Sequence, residues 1–255
     1  LSNGLSMPSI GLGTWQQRDP ATVKRVVHQA LSAGYRLVDT ASAYRNEPAI
    51  GSALAEAFGD PESGIHRNDV WITSKLAPKQ QGFNGAIAAV LESLRNLQTD
   101  YIDLYLIHWP GVSGRLPDSA EHKAYRKESW RALEMLYRQG RLRAIGVSNY
   151  THAHLEEMKE YAEIMPMVNQ CEFHPQCPQA DLLRYCHSDG VVFTAYASFG
   201  EGALISSDSN VPQLDAVAAR RSDLTKAQIL LLWALQHGVT VIPKASSMCH
   251  IQENI

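Results

Sequence analysis

The feature that most constrains this chain is an alternation. Short runs suited to β-strands recur at residues 9–14, 35–40, 70–75, 102–108, 143–148, 167–173, 191–197 and 239–243. Stretches of helical periodicity fill the intervals at 21–33, 47–58, 84–97, 128–139, 152–162, 180–188 and 225–236. Strands separated by helices predict a parallel sheet with right-handed crossovers. Gly34, Gly140, Gly190 and Gly238 stand just past helices, where positive φ is wanted, and Thr151 stands at an N-cap position. Eight such strands in 255 residues predict an α/β fold, a closed (β/α)8 TIM barrel, as a single domain over residues 1–255. An open doubly wound sheet is the rival. Its nucleotide turn needs G-x-G-x-x-G, and Gly11-Leu12-Gly13-Thr14-Trp15 does not supply it. Leu5-Ser6-Met7-Pro8 reads as part of a short N-terminal β-hairpin at the barrel bottom. Only residues 244–255 follow the last strand, so the closing helix is expected to be very short or the native chain to continue past Ile255.

Residue balance removes several function classes. Lys and Arg total 23 against 26 Asp and Glu, a net charge of −3, with no basic stripe, so no nucleic acid partner is expected. The longest apolar run, Ile229 to Leu235, is far short of the roughly 18 residues of a membrane span, so no membrane partner is expected either. The first residues, Leu1-Ser2-Asn3-Gly4, carry neither a charged nor an apolar leader segment, although no initiator Met is present. Four cysteines are too few to staple a chain this long, which fits a reducing, cytoplasmic setting.

In a barrel of this kind chemistry sits at the mouth formed by the C-terminal ends of the strands. The second strand ends in Asp39-Thr40, the third in Ser74-Lys75, the fourth in Ile107-His108, and Tyr44 follows just beyond the second. Side chains alternate along a strand, so His108 continues the row Ile102, Leu104, Leu106, and Lys75 shares a face with Trp71 and Thr73. An Asp, a Lys, a His and a Tyr can therefore meet at one mouth. A buried ammonium held by a carboxylate stabilises tyrosinate, so Lys75 is expected to lower the pKa of Tyr44 from about 10 and make it a proton donor. Taken singly, Asp39 can cap a turn, Lys75 can be a solvated strand end and His108 a core histidine. The functional reading draws its weight from their common location.

Other chemistries fit less well. Cys171-x2-His174-x2-Cys177 has a metal-like spacing, but Pro175 and Pro178 indicate an irregular turn and no fourth ligand follows, so no metal is expected. Ser198 lacks a G-x-S-x-G elbow because Tyr196 stands two residues before it.

The residues named so far lie within segments that resemble the aldo-keto reductases over essentially the whole chain. The resemblance runs through Gly11-Leu12-Gly13-Thr14-Trp15, Val38-Asp39-Thr40-Ala41-Ser42-Ala43-Tyr44 with Asn46-Glu47, and Ile72-Thr73-Ser74-Lys75-Leu76. It continues through Asp103-Leu104-Tyr105-Leu106-Ile107-His108-Trp109-Pro110 and Gly146-Val147-Ser148-Asn149-Tyr150. Asn169-Gln170, Glu172-Phe173-His174-Pro175 and Val241-Ile242-Pro243-Lys244 complete it. It implies NAD(P)H-dependent reduction of an aldehyde or ketone, with Asp39, Tyr44, Lys75 and His108 as a catalytic tetrad. In that scheme Tyr44 donates the proton, Lys75 and Asp39 tune it, and His108 orients the carbonyl oxygen. It further implies cofactor contacts from Ser148, Asn149 and Gln170 to the carboxamide and from Tyr196 to the ring. Ser198, Lys244, Ser246, His250, Glu253 and Asn254 would serve the rest of the cofactor, and Trp15 and Trp109 would wall the substrate pocket.

The chain departs from the family pattern at the cofactor tail. Lys244 is followed by Ala245 where Ser is usual, His250 stands where Arg is usual, and Ala197 replaces a serine after the seventh strand. Arg grips phosphate bidentately with a permanent charge, which His at neutral pH does not. NADPH remains the expected cofactor because Lys244 is retained, and NADH is not excluded. A monomer acting on a small carbonyl substrate (an aldehyde, an α-dicarbonyl or a ketone) is expected. The alternative within the same resemblance is a non-enzymatic NADP(H)-binding barrel, such as a channel-associated subunit or a structural protein.

Overall fold

The computed structural model describes residues 1–206 and 209–255. Eight parallel strands pair in chain order: β1 (Leu12–Gly13), β2 (Leu37–Asp39), β3 (Trp71–Leu76), β4 (Leu104–Ile107), β5 (Ile145–Ser148), β6 (Val168–Glu172), β7 (Val192–Tyr196) and β8 (Thr240–Val241). The helices are α1 (Pro20–Ser32), α2 (Glu47–Gly59), α3 (Phe83–Asn96), α4 (Glu121–Arg138), α5 (His152–Met158), α6 (Ala180–Ser188), α7 (Pro212–Arg220), α8 (Lys226–Gln236) and α9 (Met248–Glu253). The sheet closes on itself. Gly11 N–H donates to Val241 O at 2.8 Å, Gly13 N–H to Pro243 O at 3.0 Å, and Val241 N–H to Ser9 O at 2.9 Å. A Cβ on Gly13 would stand 2.4 Å from Ile242 O, so this seam requires glycine. The (β/α)8 barrel expected from the alternation is the fold observed.

Local chemistry explains why the elements start where they do. Asp19 caps α1, its Oδ2 accepting from Thr22 N–H at 2.8 Å, and Pro20 occupies the first turn. The helix buries Val23, Val26, Val27, Ala30 and Leu31, a single stripe at helical spacing. These join Val38, Ile72, Tyr105 and Ile107 of the strands in the layer between sheet and helices. The opposite strand faces form a second core inside the barrel from Leu37, Trp71, Leu104, Leu106, Met167 and Ile242. Because the strand period is two, that inner row continues upward through Asp39, Lys75 and His108. The apolar layers thereby set the height and direction of the polar side chains at the mouth.

Four expectations need correction. No strand pair forms before β1: residues 1–4 make a turn closed by Gly4 N–H to Leu1 O, and Leu1, Leu5 and Met7 pack against the inner core. The predicted hairpin therefore gives way to an apolar plug. Helix α4 begins at Glu121, well before residue 128, because its early inward positions are His122 and Arg126. Arg126 is accommodated by a bidentate pair with Glu157 at 2.9 and 2.7 Å, which hides the helical periodicity from an apolar pattern. Helix α7 was not anticipated, since it buries only Leu214. Helix α5 ends at Met158, short of residue 162. Among the described residues, no helix is long and apolar enough to cross a membrane.

Candidate active site

Strand ends bring the four expected groups together. Asp39 closes β2, Lys75 lies near the end of β3, and His108 directly follows β4. Tyr44 ends a 3₁₀ turn, Ser42–Tyr44, that folds back over the mouth and exits through Arg45 at φ +60°. Lys75 is fully buried, and its Nζ donates to Asp39 Oδ1 at 2.5 Å, to Thr40 O at 2.9 Å and to the Tyr44 hydroxyl at 3.4 Å. The His108 ring meets Tyr44 edge to face at 5.7 Å between centroids. Trp15 lies on the other side of Tyr44, with centroids 4.7 Å apart.

The electrostatics differ from the sequence expectation at one point. Burial raises the Tyr44 pKa above its usual value of 10.0, Lys75 opposes that rise, and Asp39 adds to it. The net direction is up, whereas the sequence argument counted Lys75 and not the loss of water. Lys75 feels a strong downward pull from burial, but Asp39 and Tyr44 outweigh it and its pKa is raised. The ammonium is thus retained. His108 is pushed down to about 3 by burial and then by the nearby Lys75 cation, so the ring is neutral at any physiological pH. Its Nδ1 is buried with no protein partner among the described residues.

The residues assigned to the carboxamide also meet, but they are bonded to one another. Ser148 Oγ donates to Gln170 O at 2.7 Å, and Gln170 Nε2 donates to Asp39 Oδ2 at 2.8 Å. Asn149 Nδ2 donates to His108 O at 3.0 Å, while its Oδ1 accepts from the Tyr196 hydroxyl at 2.8 Å. Asn149 and Ala197 follow β5 and β7 with φ of +63° and +51°. For alanine that left-handed conformation costs roughly 1–2 kcal/mol, the kind of local strain that gathers at functional sites. Ser198 Oγ is buried and lacks a partner among the described residues. Lys244, Ser246 and His250 are exposed on the rim beyond β8, while Asn254 is buried at the end of α9. Glu253 is half-buried, its carbonyl accepting from Gln228 Nε2 at 3.1 Å. Trp15 and Trp109 are large apolar side chains left 45% and 48% exposed at the opening.

Sequence reasoning missed the scaffold beneath the turn. Asn46 is buried, its Oδ1 accepting from Thr40 Oγ1 at 2.6 Å and its Nδ2 donating to Thr14 O at 3.0 Å and Gln17 O at 3.1 Å. Gln17 Nε2 then donates to Ala245 O at 2.9 Å. Two amides thus tie together the Trp15 loop, the Tyr44 turn and the loop after β8. The only signal in the sequence was the presence of Asn46 within a resembling segment. His174 and Cys177 bond each other through their backbones across a tight turn, and among the described residues no cluster of His, Cys, Asp or Glu is arranged to hold a metal.

The family model described as "Aldo/keto reductase family" matches residues 9–255. An uncharacterized oxidoreductase, YtbE, of Bacillus subtilis (strain 168) is 43% identical over 254 residues, covering 100% of this chain and 84% of that protein. A glyoxal reductase of the same organism is 42% identical with the same coverage. Among solved structures, an aldo/keto reductase from Brucella melitensis superposes with a TM-score of 0.86 at 36% identity, covering 100% of this chain and 90% of that one. The Bombyx mori aldo-keto reductase in complex with NADP gives a TM-score of 0.87 at 31% identity, covering 100% and 85%. With strand order, barrel closure and whole-chain similarity in agreement, this chain belongs to the aldo/keto reductase family of NAD(P)H-dependent oxidoreductases.

Proposed function

We propose that residues 1–255 form one catalytic domain that reduces a small aldehyde, α-dicarbonyl or ketone to the alcohol with NADPH, Tyr44 being the general acid. One observation carries this reading: the Tyr44 hydroxyl stands 3.4 Å from an ammonium that is itself held by a buried carboxylate. The similarity to a glyoxal reductase supports a small carbonyl as substrate.

The residues present fit the cofactor. Ser198 Oγ is a buried polar atom without a partner among the described residues, and Lys244, Ser246 and His250 offer an exposed donor set for a phosphate. Tyr196, anchored by Asn149, offers a fixed aromatic face, and Ser148, Asn149 and Gln170 lie beside it. When bound, the nicotinamide supplies the hydride. Tyr44 is protonated at neutral pH, and burial moves its pKa further up from 10.0, so the donor is loaded before the substrate arrives. As the carbonyl oxygen gains charge, Tyr44 passes its proton to it, and Lys75 stabilises the tyrosinate that remains. Asp39 and Thr40 O hold Lys75 in place for this. Neutral His108 offers one ring N–H toward the same oxygen without competing as an acid. Trp15 and Trp109 shield the opening from water and present flat apolar faces to the substrate.

The test is NADPH oxidation with glyoxal and with an aromatic aldehyde, compared with Tyr44→Phe. General acids contribute about 10²–10⁴-fold, so the variant should fall by that much while still binding cofactor. Turnover within threefold of the unmodified chain would remove Tyr44 from the role. No turnover above background in the unmodified chain, with cofactor still bound, would leave a nucleotide-binding barrel without catalysis.

A further inference from the structure

The turn between β8 and α9 lacks a second permanently charged residue of its own. Lys244 is exposed there, Ala245 is buried, Ser246 and Ser247 follow, and His250 occupies the exposed side of a helix of 6 residues. A guanidinium nevertheless stands at this turn, contributed by α1. Arg25 Nη1 donates to Ser246 O at 3.2 Å and to Gln29 Oε1 at 3.0 Å. The carbonyl of the turn itself therefore anchors the arginine head. The two places are 221 residues apart in the chain. They meet because α1 packs against α9, with the Tyr35 hydroxyl donating to Ile251 O at 3.1 Å below them.

The charges at this place are uncompensated. Lys24 and His28, neighbours of Arg25 on α1, share the carboxylate of Glu56 at 2.5 and 3.1 Å. Arg25, Lys244 and His250 form no ion pair among the described residues. Arg25 keeps its Nε and its second terminal nitrogen without protein acceptors there. Two fixed cations, neither of them ion-paired among the described residues, at one short turn that also carries two exposed serines suit a dianion.

We propose that Arg25 is a phosphate ligand of this turn, taking with Lys244 the 2′-phosphate of the adenosine half of NADPH. The proposal rests on the NADPH reading above and deepens it. His250 leaves the turn without its own guanidinium, and Arg25 supplies one from the neighbouring helix. Cofactor selectivity in this chain then depends on a residue of the first helix, outside the segment where the sequence pattern places it. Guanidinium is suited to this because its fork can hold a backbone carbonyl with one nitrogen and present the remaining donors to phosphate oxygens.

The experiment measures NADPH and NADH dissociation constants by tryptophan quenching for the unmodified chain, Arg25→Ala, Arg25→Gln and Lys244→Met. A 2′,5′-ADP competition series in low and high salt accompanies them. Arg25→Ala is expected to weaken NADPH about tenfold or more, the effect of losing one hydrogen bond to a charged group, and to leave NADH within twofold. Arg25→Gln keeps a neutral amide on the same stem, so it separates loss of charge from loss of the side chain. It should show nearly the same NADPH loss and a shallower salt dependence for 2′,5′-ADP. If Arg25→Ala weakens both cofactors alike while Arg25→Gln restores both, Arg25 only props the turn and the proposal fails. If NADPH binding is unchanged in both Arg25 variants but lost in Lys244→Met, the turn reads phosphate without Arg25, and the proposal fails alone. If Lys244→Met also leaves NADPH unchanged, the phosphate reading of the turn falls and takes this proposal with it.

Discussion

Lys75 and Asp39 form a buried ion pair across the β2–β3 boundary, 36 residues apart in the chain, with side-chain exposures of 0% and 3%. Neither charge has water to fall back on. Removing one partner therefore leaves the other charge isolated in the barrel, which typically costs about 3–5 kcal/mol. Lys75→Met should destabilise the fold by that order, measured by chemical denaturation. Adding Asp39→Asn removes the orphaned charge while Gln170 Nε2 keeps an acceptor, so the double variant should regain most of the loss. Without the ammonium to stabilise tyrosinate, carbonyl reduction should be lost in both variants. A double variant no more stable than Lys75→Met alone would mean that the pair is not the source of the cost.

His108 should be neutral well below the pH at which histidines ordinarily gain charge, since burial and Lys75 bring it down to about 3. The imidazole nitrogen shifts of this ring, followed by NMR, should remain those of a neutral ring at pH 5. Reduction rates should likewise show no histidine inflection between pH 5 and 8. An imidazolium signal at pH 5 would show that burial and Lys75 do not hold the ring neutral. The sign for stability follows directly. The unfolded chain takes up a proton near pH 6.5 and the folded ring does not, so His108 costs stability as pH falls from there toward 3.

Glu47 is a second buried acid, away from the reacting groups. Burial raises its pKa above 4.5, and hydrogen bonds from Ser74, Ser93 and Asn96 only partly offset this. Ser74 Oγ donates to its Oε1 at 2.7 Å, and no cation pairs with it among the described residues. The folded state therefore holds this proton more tightly than the unfolded chain. Its stabilising effect is full below pH 4.5 and disappears as pH rises through the raised folded value. Glu47→Gln cannot ionise, so the stability difference between variant and parent should move in the variant's favour above pH 4.5 and then level off. Each unit of pKa elevation corresponds to about 1.4 kcal/mol. A difference independent of pH would disprove the assignment.

Asn46 uses its whole amide to join the Trp15 loop to the Tyr44 turn. Thr40→Val removes one of these bonds with little change of volume, leaving a buried acceptor unsatisfied at a cost of about 1–3 kcal/mol. The expected result is a lower melting temperature and a fall in kcat, because Thr40 O also seats the Lys75 ammonium. An unchanged kcat would mean that the turn is held adequately from elsewhere.

The barrel and the meeting of Asp39, Lys75 and His108 at its mouth were legible in the sequence for a simple reason. Strand parity is local, so Leu104, Leu106 and His108 announced a common face, as did Trp71, Thr73 and Lys75. What was hidden depended on distant or buried polar contacts. Helix α4 carries His122 and Arg126 on its inward side. That burial is made tolerable by the Arg126–Glu157 pair, by the Arg126 bond to Pro110 O and by the bonds of His122 to Val112 N–H and Leu116 O. Gln17 reaches Ala245 across 228 residues, a contact no spacing could announce. The direction of the Tyr44 shift was missed because depth of burial, the largest influence on it, is a property of the folded mouth.

The loop bearing Lys244 is also part of the barrel's closure. Lys244 bridges Gly13, and Gly13 N–H donates to Pro243 O at 3.0 Å, where β1 and β8 contribute only 2 residues each. Any ligand that grips Lys244 thus also clamps the pairing that closes the sheet. Opening fluctuations at that pairing must first release the ligand, so occupancy should appear as slowed amide exchange at Gly11, Gly13 and Val241. Cofactor binding at Lys244, as proposed above, would then act as a latch, and the state of the latch could be read from three backbone protons at the seam where the barrel closes.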